Sequence, residues 1–172
     1  MEQRPLRFIS RDKELELIQR LLTIVDDSNF DPSTHMVLMV SPDYSATVAM
    51  HLAHAWSRKG EMLQIMAVDV PYPGENYTGY SVKFRREFGF LDWRPDNLIL
   101  VEAGIIKGGN WTWLVSTLID DLAYRRKELT LCTMVENVHT AFKSDYVAEY
   151  YDDTTEDLTF YYERFNKAWP IR

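Results

Sequence analysis

At 172 residues, with 46% hydrophobic and 13% aromatic content, the chain is long enough to bury a full core, which excludes a disordered segment. A formal charge of -7 excludes a general nucleic-acid binder, because neutralising phosphates takes a basic face. A lone cysteine, Cys132, excludes an internal disulfide, no apolar run approaches the roughly 18 residues of a membrane span, and the charged amino terminus lacks a signal peptide's apolar core, so cytoplasmic residence is the expectation.

Ser10 is placed to cap a helix in which Leu15, Ile18, Leu22 and Val25 recur at spacings of three and four, predicting an amphipathic helix from Arg11 to Asp26. Met36 to Val40 is a short all-apolar run ending at Ser41-Pro42, the pattern of a strand buried on both faces. A helix is expected from about Ser45 to Arg58, with Val48, Leu52 and Ala55 on one face and Lys59-Gly60 as its stop. Met62 to Val68 reads as a second buried strand. Residues 69–94 carry prolines, glycines, tyrosines and the basic Lys83, Arg85 and Arg86 with no sustained period, which predicts a long functional excursion.

The most telling stretch is Asn97 to Trp111. It predicts a buried strand over Leu98 to Val101 with Glu102 at its end, a turn bearing Gly108-Gly109, and then a helix from about Trp111 to Arg126. Arg125, Arg126 and Lys127 would favour the negative end of that helix. Leu129 to Val135 is a further apolar strand, Tyr146 to Asp157 an acidic, tyrosine-rich loop, and Leu158 to Phe165 one more strand, at an edge. Strands alternating with helices imply right-handed parallel crossovers. The expected architecture is a three-layer α/β/α domain with a mostly parallel central sheet, spanning 1–172 as one unit.

Four apolar residues, an acid, a turn and a glycine pair before a helix resemble the phosphoribosyl pyrophosphate motif of the type I phosphoribosyltransferases. Val101 and Glu102 match the strand end and first acid of that motif, Ile105 its second apolar position, and Gly108-Gly109 its glycines. Ala103 stands where the second acid belongs, Ile106 and Lys107 replace a threonine pair, and Asn110 replaces a small hydroxyl residue. The order of elements from the first helix to this motif also resembles the family.

The resemblance implies magnesium-dependent transfer of ribose 5-phosphate from phosphoribosyl pyrophosphate to a nucleobase, with magnesium carried by the pyrophosphate. Glu102 would then accept hydrogen bonds from the ribose hydroxyls, and Ile106, Lys107, Gly108, Gly109, Asn110 and Trp111 would hold the 5'-phosphate at the positive end of the helix. Ser41, Asp43, Tyr44 and Ser45 would form the pyrophosphate loop, with Asp43 reaching a magnesium-bound water. Lys83 and Arg85 would lie in a mobile hood over 69–94, and Phe160 with Tyr162 would face the base within a carboxyl-terminal region, 144–172. A homodimer is the expected assembly, with no nucleic-acid or membrane partner.

Each of these residues also has a plain structural reading: Glu102 and Asp43 as strand-end and helix-entry carboxylates, the glycine pair as an ordinary helix entry, Lys83 and Arg85 as solubilising charge, and Phe160 or Tyr162 as core. Two other functions therefore stand beside transfer: a noncatalytic protein of the same fold that binds a nucleotide or sugar phosphate, and a protein-interaction module using the acidic, tyrosine-rich tail. His51 and His54, three apart on a helix, are read as surface residues, Cys132 as a small core residue, and no metal-ligand set is expected.

Overall fold

A computed structural model describes residues 5–28, 30–31, 35–40, 42–57, 64–68, 95–105 and 108–160. The chain runs β1 (Leu6–Ile9), α1 (Arg11–Asp27), β2 (His35–Val40), α2 (Pro42–Ser57), β3 (Gln64–Val68), β4 (Asn97–Ile105), α3 (Gly109–Asp120), a short 3-10 turn (Arg126–Glu128), β5 (Leu129–Asn137), β6 (Tyr146–Tyr151) and β7 (Asp157–Phe160). Five strands form one parallel sheet in the order β3-β2-β4-β5-β6, and β1 pairs in parallel with β7 as a separate two-stranded sheet.

Alternation along the central strands sorts the core into two layers. Ile99, Val101 and Ala103 of β4 and Cys132 and Met134 of β5 pack with Leu17, Leu21 and Val25 of α1 and Val48, Leu52 and Trp56 of α2. Leu98, Leu100, Leu129 and Leu131 point the other way, against Trp111, Leu114, Val115 and Leu118 of α3. A parallel sheet covered on both faces explains why its strands read as continuous apolar runs. Among the described residues no helix is long and apolar enough to cross a membrane.

The cap on α1 is as expected: the Lys13 amide donates to Ser10 Oγ at 3.2 Å. Three differences are the largest; α2 also starts at Pro42, α3 at Gly109, and β5 runs to Asn137. β4 runs four residues beyond Val101, because Glu102, Gly104 and Ile105 keep their pairing with β5. α3 stops at Asp120 rather than Arg126. Ala123 takes a left-handed conformation (φ 55°), the Tyr124 amide closes back on Leu118 O, and the Tyr124 hydroxyl donates to Pro95 O at 3.0 Å. Arg125, Arg126 and Lys127 consequently sit at the 3-10 turn instead of a helix end, and Arg126 bonds Leu129 O and Asp145.

The third difference is at the carboxyl end, where the supposed acidic loop contains β6 and its acids are paired. Glu149 meets Arg7 and Lys13, Glu156 meets Arg7, and Asp152 accepts from Thr154. The strand expected over Leu158 to Phe165 is described only to Phe160, as β7 against β1. Its later part, the excursion 69–94 and the Lys59-Gly60 stop lie outside the described residues.

Cys132 is fully buried, and burial, with Asp145's charge adding to it, pushes its thiol far above the ordinary value of 9.0. Burial and the nearby Asp153 and Glu156 charges push the Tyr151 hydroxyl from 10.0 up to about 12. Both groups keep their protons in the folded chain at pH values where an unfolded chain releases them, so stability falls as pH rises above about 9. Urea unfolding midpoints should decline between about pH 9 and about pH 11, and native Cys132 should resist alkylation until the chain opens. Midpoints that stay level across that range, or fast alkylation of the folded protein, would contradict this burial.

Candidate functional site

The topology marks one edge of the sheet. From β2 the chain crosses through α2 to β3 on one side, and from β4 it crosses through α3 to β5 on the other. β2 and β4 are neighbours, so the winding reverses between their carboxyl ends, which is where open α/β sheets form ligand crevices. Both helices begin at this edge, and their amino-terminal turns bring positive dipole ends to it.

Glu102 sits at the crevice. The β2 pairing stops at Met39 opposite Val101, so Glu102 is the first residue of β4 beyond it, while Thr133 of β5 lies opposite on the other side. By alternation Glu102 shares the α3 face of the sheet with Leu98 and Leu100. Its side chain is only 6% exposed. Ala103, the next residue, points into the α1/α2 core and is wholly buried.

The start of α3 is built to leave amides available. Gly108 is the N-cap residue in a left-handed conformation (φ 77°), and without a side chain it offers no cap to the first-turn N–H groups. A Cβ at Gly108 would run into Thr140 Oγ1 and lie 3.1 Å from Phe142 Cβ, so the turn into α3 is pressed against the loop after β5. At Gly109 the opposite holds: a Cβ there would meet nothing within 4 Å. The first turn of α3 carries no acid, and Thr112 Oγ1 donates to Gly108 O at 3.0 Å. A helix start with no side-chain cap and no acid in its first turn is suited to an anion.

Trp111 is 1% exposed, packed with Leu114 and the sheet, and Trp113 packs partly buried against the same cluster. Neither closes off the open side of Gly109. Asn110 lies in the first turn of α3, Asp43 and Tyr44 lie in the first turn of α2, and Ser45 of α2 is fully buried. Phe160 is 5% exposed and belongs to the α1/α2 core, with its ring edge 3.1 Å from a Cβ built on Gly104. That placement assigns its ring to packing. Ser41, Lys83, Arg85, Ile106, Lys107 and Tyr162 lie outside the described residues. His51 and His54 are exposed, as surface residues should be.

One functional candidate escaped the sequence reasoning. Glu136 lies one residue before the end of β5, opposite Ile105 of β4, and its side chain is fully buried. An acid seven residues into an apolar strand was the available signal. Its Oε2 accepts from the Ser144 amide at 2.9 Å, and Thr133 Oγ1 lies 2.7 Å from Ser144 Oγ, so one residue of the β5–β6 loop ties both strand side chains.

No family model matches the chain, and no curated protein matches it. Among solved structures, the xanthine-guanine-hypoxanthine phosphoribosyltransferase of Helicobacter pylori superposes with a TM-score of 0.66 at 13% identity, over 96% of this chain and 97% of that one. A hypothetical protein from Neisseria gonorrhoeae with bound ppGpp gives 0.65 at 11% identity over 97% of each chain. The hypoxanthine phosphoribosyltransferase of Trypanosoma cruzi in complex with the product IMP gives 0.51 at 14% identity, over 81% of this chain and 78% of that one. At these identities the likeness is one of architecture: the chain has the phosphoribosyltransferase-like α/β fold.

Proposed function

We propose that this chain, built on the phosphoribosyltransferase-like fold, binds the 5-phosphoribosyl group at the β2/β4 edge and transfers it from phosphoribosyl pyrophosphate to a nucleobase. The observation that carries the reading is the pairing of a buried acid in β4, Glu102, at the level where the β2 pairing stops, with an uncapped, glycine-opened helix start six residues later. The Helicobacter and Trypanosoma enzymes support it by fold, and the Neisseria and Trypanosoma structures support a nucleotide as the kind of ligand.

The chemistry asks for four things, and the described residues offer the first two. The 5'-phosphate is met by first-turn amides of α3 at the helix's positive end. The ribose hydroxyls are met by Glu102, whose negative charge also stabilises the positive charge that grows on the sugar ring as the bond from the anomeric carbon to pyrophosphate breaks. A nitrogen of the base then forms the new bond to that carbon, and the proton it carried leaves on the pyrophosphate or to solvent. Pyrophosphate departs with the magnesium that entered as part of the substrate, close to the start of α2, where Asp43, Tyr44 and Ser45 are placed. Lys83 and Arg85 would supply cations for the leaving group, and water exclusion would come from the hood over 69–94.

Incubating the protein with phosphoribosyl pyrophosphate, magnesium and a panel of bases should release pyrophosphate. Glu102→Ala should weaken binding of the sugar about tenfold to about 100-fold, the worth of hydrogen bonds to a charged group. Unchanged affinity in that variant would remove Glu102 from the site.

A second reading has its own observation. Ala103, standing where the family motif has a second acid, is sealed in the α1/α2 core, so this position offers the substrate neither a ribose contact nor a proton acceptor. Calorimetric binding of ribonucleotides without turnover on any base would favour a noncatalytic nucleotide-binding protein over the transferase.

A further inference from the structure

The loop that leaves β5 is tied both to the sheet and to itself. Asn137, 2% exposed, holds its start: the side-chain oxygen accepts from the His139 amide at 3.1 Å and the carbonyl from the Thr140 amide at 3.1 Å. At the far end the Ser144 amide donates to the buried Glu136 carboxylate at 2.9 Å, and Ser144 Oγ lies 2.7 Å from Thr133 Oγ1. Lys143 Nζ donates back across the loop to Val138 O at 2.9 Å. Phe142 packs against the same apolar cluster as Trp111 and Leu114 of α3. A loop held in this way is a fixed surface.

That surface presents Thr140 to the start of α3. A Cβ built on Gly108 would lie 2.4 Å from Thr140 Oγ1 and 3.1 Å from Phe142 Cβ, so both side chains stand directly against the N-cap residue. Gly108, at φ 77°, is the turn through which the chain enters α3, and its conformation sets where the first-turn N–H groups point. Thr140 is 4% exposed, and its hydroxyl is enclosed with no hydrogen-bond partner among the described residues. An enclosed hydroxyl is not offered to a ligand, and an unpaired one adds no bond to the fold. What Thr140 brings to Gly108 is shape: two branches on Cβ, stiff about χ1.

We propose that Thr140 is a positioning residue for the phosphate, its branched side chain bracing Gly108 in the left-handed turn so that the first-turn amides of α3 converge before a ligand arrives. This rests on the phosphoribosyl reading above. Glycine is the residue that this turn admits, because a Cβ would collide, and it is also the residue with the widest choice of φ and ψ. Left unbraced, the turn would wander, and a bound phosphate would have to order it. Donors already aimed at the place where charge will sit need no rearrangement when it comes, and binding keeps the energy that ordering would otherwise consume.

The test is calorimetry of the full chain with ribose 5-phosphate, beside chemical denaturation of each variant. Thr140→Ala removes both branches and should weaken binding about tenfold. Thr140→Val restores the shape and discards only the unpaired hydroxyl, so it should recover the wild-type affinity. A residue needed only for folding would lower the midpoint of Thr140→Ala and leave the affinity of the folded chain unchanged, and that result overturns the proposal. Equal losses in the alanine and valine variants overturn it as well, because the hydroxyl itself would then be meeting the ligand. If Thr140→Ala fails to fold, Thr140→Ser decides: with one branch gone its χ1 is freed and binding should weaken about threefold, whereas wild-type affinity rejects the brace. Each of these failures leaves ribose 5-phosphate bound to wild type and the phosphoribosyl reading standing. A wild type that binds no ribose 5-phosphate would remove that reading, and the role of Thr140 with it.

Discussion

Gly109→Asp should lower affinity for phosphoribosyl pyrophosphate by about 100-fold or more while leaving the fold as stable as before. The new side chain has room, because a Cβ at this position meets nothing within 4 Å, and Gly109 is the first residue of α3 in ordinary helical backbone. A carboxylate in a first helical turn interacts favourably with the dipole, by about 0.3–1 kcal/mol, so stability should hold or rise slightly. Against a bound phosphate the sign reverses. Two like charges about 5 Å apart at an effective dielectric near 20 repel by about 3 kcal/mol, which converts to about 100-fold in affinity. Calorimetry beside chemical denaturation separates the two effects, with Gly109→Ala as the control that should change little in either. Equal loss in both variants would mean that shape, not charge, governs the position, and no loss in either would move the phosphate elsewhere.

Gly108→Ala should behave in the opposite way, damaging the fold first. A non-glycine residue at φ 77° costs about 1–2 kcal/mol, and the added methyl would drive into Thr140 Oγ1 and crowd Phe142. Thr140 lies three residues past the β5 end, in a loop held by the Thr140 amide on Asn137 O and by the Ser144 amide on Glu136, so relief requires shifting a tied loop. A total loss of about 2–4 kcal/mol is expected, read as a lowered denaturation midpoint with an unchanged slope. The neighbouring Gly109→Ala again serves as the reference. If both alanine variants are equally stable, the αL turn and its contact with Thr140 are not holding the helix start where the structure places it.

Much of the fold was legible because its signals are local. Apolar runs at 98–101 and 129–135 are strands because a sheet covered on both faces makes no polar demand on them, and the Ser10 cap sits beside the helix it starts. The missing parts depend on contacts distant in sequence. β1 is four residues of mixed exposure whose partner, β7, lies about 150 residues away, and nothing in Leu6–Ile9 announces that pairing. The acids of the carboxyl region looked solvated because Arg7, Lys13 and Arg126, which bind Glu149, Glu156 and Asp145, come from other elements. α3 was drawn too long because apolar spacing continues through Leu122, whereas the left-handed Ala123 and the bond from Tyr124 to Pro95 end the helix.

At the site, the acid and the glycine pair were visible as a motif, but the two glycines looked alike. Only the packing shows that Gly108 is required by its backbone and by Thr140, and that Gly109 is open. Glu136 falls just past the strand expected over Leu129 to Val135. Its burial and its single free oxygen emerge only when β4 and the β5–β6 loop close around it.

The most direct measurement is a titration of the nitrogen-15-labelled protein with ribose 5-phosphate, followed through its backbone amides. Saturable shifts concentrated on Gly108, Gly109, Asn110 and Trp111, with weaker ones at Glu102 and Thr133, are the predicted result. Saturable shifts centred on a different edge, or none at the start of α3 at millimolar sugar phosphate, would contradict the account.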